Sequence, residues 1–157
     1  MTDTYRFRPM TQADAEEIAL WHYPEPFSFY DASADVNDLA ELLDPVLRGD
    51  GYVSVEDETG ELAGFFQFKQ HRPEVVEIGL GLRPDRTGRG LGAAFLEAGL
   101  RYARSRFESS QFVLAVATFN QRAITVYERA GFSAVRTYMH ATNGGEWEFV
   151  EMELRKS

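Results

Sequence analysis

Residues 80–99 read Leu-Gly-Leu-Arg-Pro-Asp-Arg-Thr-Gly-Arg-Gly-Leu-Gly-Ala-Ala-Phe-Leu-Glu-Ala-Gly, and no other stretch narrows the fold as much. An apolar run over Val75–Leu82 reads as a buried strand, which Pro84 stops. Thr87, Gly88, Arg89, Gly90, Leu91 and Gly92 then form a glycine-rich turn. From Leu91 the apolar period becomes helical: Leu91, Phe95, Ala98, Gly99 and Tyr102 share one face. The first N–H groups of a helix have no internal partner, and the helix dipole places partial positive charge there. A glycine turn at that point brings the backbone close to a ligand, which suits a phosphate or pyrophosphate. The alternative is a turn that only needs positive φ angles. The alternating glycines, flanked by Arg86 and Arg89, favour the anion site.

Two familiar nucleotide loops are excluded. A P-loop needs Gly-Lys-Ser/Thr, and no such lysine follows these glycines. A dinucleotide fingerprint needs G-x-G-x-x-G early in a βαβ unit, whereas these glycines alternate past the middle of the chain.

A chain of 157 residues fits one domain, 1–157, with a real core. There is no cysteine, which excludes disulfides and thiolate chemistry and suits a reducing, cytoplasmic setting. The opening Met-Thr-Asp-Thr-Tyr-Arg lacks an apolar core, so no signal peptide is expected, and no apolar run approaches the roughly 20 residues of a membrane span. The formal net charge of −9 argues against nucleic acid as a partner, because phosphate contacts need a basic surface. It is compatible with a cationic or amine substrate, or with solubility alone. His22, His71 and His140 stand apart, so no metal site is expected.

Along the chain, Tyr5–Arg8 reads as a short strand, and Thr11 caps a helix with Asp14 completing a capping box. The segment Trp21–Asp31 holds two prolines among six aromatic or histidine residues, so it either covers the core or lines a cleft. A second helix spans residues 35–47, ended by Gly49 and Gly51. Residues 52–56 and 61–69 pair through Asp57-Glu-Thr-Gly60. Residues 112–118 are continuously apolar, as in a central strand buried on both faces. A helix over 121–130 ends at Gly131, and residues 132–140 and 146–154 form a last hairpin. The expected fold is α+β: a mixed central sheet of about seven strands with about four helices and one right-handed βαβ unit.

After the apolar strand comes Asn120-Gln-Arg-Ala123-Ile-Thr-Val-Tyr127-Glu-Arg-Ala-Gly131-Phe132. This is similar to the Asn-x-x-Ala-x-x-x-Tyr-x-x-x-Gly-Phe signature of the GNAT superfamily of N-acetyltransferases. The upstream glycine turn resembles that family's Gln/Arg-x-x-Gly-x-Gly/Ala acyl-CoA loop, with Gly90 and Gly92 on its glycines and Thr87 in the Gln/Arg slot. The resemblance implies the GNAT fold, in which the two central strands splay into a V. It implies a bulge in the strand before the loop, where Gly79 and Gly81 stand.

The same resemblance implies acetyl-CoA as co-substrate, with no metal. Its pyrophosphate would lie on Thr87, Gly88, Arg89, Gly90, Leu91 and Gly92, and its pantetheine arm would pair with backbone near Leu80 and Leu82. Tyr127 would protonate the leaving thiolate, since a phenol is protonated at neutral pH; alternatively it only packs. Asn120 would cap its helix, hydrogen-bond the cofactor, or both. Glu77 is either the base that deprotonates the amine or a solvated strand residue. The backbone N–H of Leu82 would hold the oxyanion. Trp21, Phe27 and Tyr30 would wall the acceptor pocket, with Glu25, Asp31 and Glu148 as lesser candidates to orient an amine.

Two functions follow. One is transfer of an acetyl group to a primary amine of a small molecule or protein, and the other is a non-catalytic acyl-CoA-binding domain. The oligomeric state, a homodimer included, stays open.

Overall fold

The computed structural model describes residues 5–155. The first four residues, on which part of the leader reading rests, lie outside that range. In chain order the elements are β1 (Arg6–Pro9), α1 (Gln12–Ala19), α2 (Val36–Leu43), α3 (Pro45–Arg48), β2 (Tyr52–Glu56), β3 (Leu62–Arg72), β4 (Val75–Leu82), α4 (Gly92–Arg106), β5 (Gln111–Ala117), α5 (Gln121–Arg129), β6 (Ser133–Thr142) and β7 (Gly145–Arg155), with three short 3-10 turns between them. The strands form one seven-stranded sheet in the order β1-β2-β3-β4-β5-β7-β6. Only β4 and β5 run parallel. No helix among the described residues is long and apolar enough to cross a membrane.

Strand alternation divides the core in two. Val53, Val55, Phe66, Phe68, Val76 and Ile78 point to the face covered by α4 and α5. Tyr52 and Leu62 point to the other face, where Ala15, Ile18 and Trp21 cover them. Asp14 ties that second layer to the sheet. It completes the capping box with Thr11, pairs with Arg8 on β1 and accepts the Ser54 hydroxyl from β2. Burial works against its charge, but those donors hold its carboxyl well below the usual range.

Four expectations need correction. The helix over 35–47 is two helices, because Pro45 forces Asp44 into an extended conformation and Asp44 then caps α3 through the Val46 and Leu47 N–H groups. Hence there are five α-helices rather than four. Strand β5 is central but not buried on both faces: Ala115 is exposed, because it lines an open cavity. Strand β4 carries no bulge at Gly79 or Gly81. It pairs with β3 without a break from Val76 to Leu82, and the register shift falls between Gln70 and Arg72 on β3. Gly81 is glycine for space, since a Cβ there would stand 2.5 Å from Cε1 of Phe65. Finally, α4 begins at Gly92, with Leu91 as its N-cap, and buries Leu96 and Leu100 as well as Phe95.

The V-shaped gap is present for another reason than a bulge. Strands β4 and β5 pair only at Val75–Gln111, Val76–Phe112 and Glu77–Val113. Beyond Glu77, β4 stays with β3, and β5 stays with β7 as far as Ala117. The two halves of the sheet therefore diverge.

Helix α4 crosses β3 at its closest at Gly99, where an added Cβ would lie 2.2 Å from Cζ of Phe66. Phe66 is fully buried and stacked on Phe95 and Phe68, so it has nowhere to move. Gly99→Ala should therefore lose stability by about 1–3 kcal/mol through overpacking, against the roughly 1 kcal/mol that alanine offers in helix propensity. Urea denaturation checks this, and a midpoint at or above wild type would show that the core can yield there.

Candidate active site

The gap opens into a cavity of about 550 Å³. Ile78–Leu82 form one wall and Leu114–Val116 the other. The N–H of Arg83 bonds to the Ala63 carbonyl on β3. By alternation, Gly81 and Gly79 turn their backbone groups to β3, while Ile78, Leu80 and Leu82 turn theirs into the gap. Beyond the Glu77–Val113 pair, whose ladder takes the Ile78 N–H, the Ile78 carbonyl and the gap-facing groups of Leu80 and Leu82 have no strand partner on the β5 side.

The aromatic segment bridges the two walls. The Tyr23 hydroxyl donates to the Leu82 carbonyl at 2.7 Å, and the Ala117 N–H donates to the Tyr30 hydroxyl at 3.3 Å. Asp31 holds the segment in shape by accepting from the Tyr23 N–H and contacting His22, and Asn143 donates its amide to the Phe29 carbonyl. The two readings of this segment are both satisfied. Trp21 is buried against Phe65, and Trp21, Tyr23, Phe27 and Tyr30 line the cavity.

At the mouth stands the glycine turn. Gly88 and Gly90 have φ of +71° and +74°, the left-handed region that glycine adopts without strain. Helix α4 starts there with no capping side chain and no acidic residue in its first turn. Its first internal bond is Phe95 N–H to the Leu91 carbonyl, so the N–H groups of Gly92, Ala93 and Ala94 are left for a ligand. Gly88, Gly90, Gly92 and Thr87 line the cavity, whereas Arg89 and Leu91 do not. The Thr87 hydroxyl is turned to the Pro84 carbonyl.

The flanking arginines read from the sequence are not where an anion would meet them. Arg86 pairs with Asp57 in the β2–β3 turn, and Arg89 is exposed beside the Asp85 carbonyl. Arg122 and Arg129 of α5 line the cavity, and Nη1 of Arg122 lies 3.2 Å from where a Gly88 Cβ would be. Its guanidinium sits 4.3 Å over the Phe27 ring, and among the described residues no carboxylate pairs with it. Sequence reading passed over Arg122 and Tyr23. Arg122 occupies an unspecified position of the Asn120–Phe132 motif, and Tyr23 was one aromatic among many.

Tyr127 lines the cavity from α5, with its ring 6.0 Å from Phe132. Among the described residues no hydrogen bond engages its hydroxyl. Burial, and then the nearby Tyr30, push that phenol well above its ordinary range. Asn120 caps α5 by accepting the Ala123 N–H. Burial raises the Tyr30 phenol, while the nearby Asn120 side chain and the Ala117 N–H work against that rise. Glu77 stands apart from the cavity, at the closed end of the gap, with its Oε1 2.5 Å from His71 Nε2. The lesser acidic candidates have structural partners: Glu25 accepts from Ser28, Asp31 from Tyr23, and Glu148 from Thr118. Among the described residues no group of three or more His, Cys, Asp or Glu could hold a metal.

Residues 5–133 match the family described as the acetyltransferase (GNAT) domain. The mycothiol acetyltransferase of Salinispora arenicola is 36% identical over 136 residues, which are 81% of this chain and 43% of that protein. That of Streptomyces coelicolor is 36% identical over 116 residues, 73% of this chain and 36% of that protein. The chain thus spans less than half the length of these relatives. Among solved structures, spermidine N-acetyltransferase from Vibrio cholerae in complex with CoA and spermine superposes with a TM-score of 0.74 at 19% identity, covering 97% of this chain and 95% of that one. A GNAT-family acetyltransferase from Bacillus anthracis gives a TM-score of 0.76 at 14% identity, covering 99% and 96%.

The Asp57–Arg86 pair fixes the loop that leads into the glycine turn. Burial raises the Asp57 carboxyl, but the Thr59 hydroxyl and N–H, the Glu61 N–H and Arg86 outweigh it and bring it down to about 2. A carboxyl lowered on folding stabilises the protein above its unfolded value, near 3.9, and loses that contribution as pH falls through the folded value. Wild type should therefore exceed Asp57→Asn in urea midpoint at pH 5, and the difference should shrink as pH falls from about 4 towards 2. A difference constant over that range would remove the Asp57 charge from the account.

Proposed function

The chain belongs to the GNAT acetyltransferase family, and on that premise we propose that it moves an acetyl group from acetyl-CoA to a primary amine of a small molecule or protein. The observation that carries the reading is the continuity of one cavity from an uncapped helix N-terminus, through an unpaired strand edge, to the Tyr127 phenol. Each part answers one portion of the cofactor. The N–H groups of Gly92, Ala93 and Ala94 and the Gly88–Gly90 backbone suit a pyrophosphate. Arg122 supplies the positive charge that Arg86 and Arg89 do not. The free Ile78 carbonyl, the Leu80 N–H and carbonyl and the Leu82 N–H suit the amides of the pantetheine arm, which would add to β4 as a strand adds to a sheet edge.

Acyl transfer then needs an oxyanion donor, an acid and a base. The Leu82 N–H faces the gap and suits the oxyanion, and Tyr127 suits the proton for the leaving thiolate. Burial makes Tyr127 a weak acid, and it also keeps the proton on the oxygen until a basic thiolate forms. Glu77 does not touch the cavity, so as a base it would act through solvent, with His71 beside it. Mycothiol acetyltransferase relatives and the spermidine N-acetyltransferase fold neighbour point to an amine acceptor of modest size. Trp21, which is buried, Phe27, half-buried, and Tyr30, exposed, are its proposed wall.

The test has two parts. Thiol release from acetyl-CoA is followed with polyamines, amino sugars and peptides as acceptors, and acetyl-CoA affinity is measured by calorimetry for wild type and Gly90→Asp. Nothing lies within 4 Å of a Cβ at Gly90, so the side chain meets no clash, but the φ of +74° there is strained for aspartate, and the variant adds a negative charge to the proposed anion cradle. Affinity should fall at least tenfold, about 1.4 kcal/mol. Equal affinities would take the glycine turn out of the site, and tight binding without thiol release from any acceptor would favour a binding domain over an enzyme.

A further inference from the structure

Tyr30 meets the β5 wall of the gap at a backbone donor. Its hydroxyl oxygen accepts the Ala117 N–H, and among the described residues no acceptor takes its proton. A phenol oxygen that accepts a hydrogen bond has its own O–H left to point elsewhere. Here elsewhere is the cavity that Tyr30 lines with Tyr127. The segment carrying Tyr30 is tied at Leu82, Asp31 and Asn143, so the hydroxyl is held rather than free to swing.

We propose that Tyr30 is a second proton donor to the leaving thiolate, sharing that task with Tyr127. The inference rests on the transfer reading above. The amine nitrogen bonds to the thioester carbonyl carbon, and the tetrahedral adduct collapses by breaking the C–S bond, with the electron pair leaving on sulfur. The Tyr30 O–H proton passes to that sulfur, giving free CoA thiol. The phenolate left behind keeps the Ala117 N–H as donor, which stabilises the charged form. The ammonium proton of the product nitrogen goes to solvent, and solvent returns a proton to the phenolate. Tyr127 has no such donor on its oxygen among the described residues, so the two hydroxyls are unequal acids lining one cavity.

Single-turnover thiol release with the best acceptor of the panel decides the matter, using Tyr30→Phe, Tyr127→Phe and the double variant. Each keeps its ring, and circular dichroism with CoA titration checks fold and affinity. Tyr30→Phe alone should slow the step, with CoA affinity within about threefold of wild type. In the Tyr127→Phe background, where Tyr30 is the remaining donor, Tyr30→Phe should cost a further 10²–10⁴-fold, the usual span for a positioned acid. Full rate for Tyr30→Phe in both backgrounds overturns the proposal while leaving the transferase reading intact. Loss confined to the acceptor KM also overturns it, because a pocket wall alone would behave so. A wild type that releases no thiol with any acceptor overturns the transferase reading and this role with it.

Discussion

The structure turns on three residue pairs. Strands β4 and β5 bond at Val75–Gln111, Val76–Phe112 and Glu77–Val113 and then part. Backbone N–H and C=O groups in a folded interior are almost always paired, and an orphan costs about 1–3 kcal/mol. A sheet that opens in its middle must therefore find other partners for both lips. Two tyrosine hydroxyls from one segment do part of this: Tyr23 on the Leu82 carbonyl and Tyr30 on the Ala117 N–H. The remaining gap-facing groups, the Ile78 carbonyl and those of Leu80, look into the cavity, where water or a strand-like ligand must take them. The same opening that strains the sheet's bookkeeping creates the place where an amide-bearing chain can lie.

Charge follows the same division between support and site. Carboxylates take two of the arginines near the opening: Asp57 holds Arg86, and Asp85 and Glu61 hold Arg83. These pairs fix the loop that leads into the glycine turn. Arg122 is left on an aromatic ring, beside glycine backbone and an uncapped helix end. In a chain of net charge −9, a cavity lined by Arg122 and Arg129, neither paired with a carboxylate among the described residues, and set against free N–H groups, has a strong local preference for an anion.

The sequence was informative where a short-range rule decided the structure. The Thr11–Asp14 capping box, the Asn143-Gly144 turn with both residues at positive φ, and Gly131 closing α5 are local and were legible. The motif from Asn120 to Phe132 placed Tyr127 on the cavity wall. What failed depended on partners distant in sequence. Arg86 reads as a phosphate ligand until Asp57, 29 residues earlier, claims it. The run over β5 reads as doubly buried, but Ala115 is exposed because β4 and β5 part and leave it on the cavity. Glu77 shares a strand face with Gly79 and Gly81, and only the structure shows that it stands at the closed end of the gap beside His71. Even Pro45, a local signal, was outweighed in the sequence reading by apolar spacing on either side of it.

The central claim is that the free lip of β4 is where acetyl-CoA lies. Amide hydrogen exchange at Leu80 and Leu82, read by NMR with and without acetyl-CoA, tests it most directly. Without cofactor these two amides should exchange much faster than Gly79 and Gly81, whose N–H groups bond to β3. With saturating acetyl-CoA they should slow by at least tenfold, while the amides of β2 change little. Exchange at Leu80 and Leu82 that is already slow in the free protein, or that stays fast in the complex, would contradict the account.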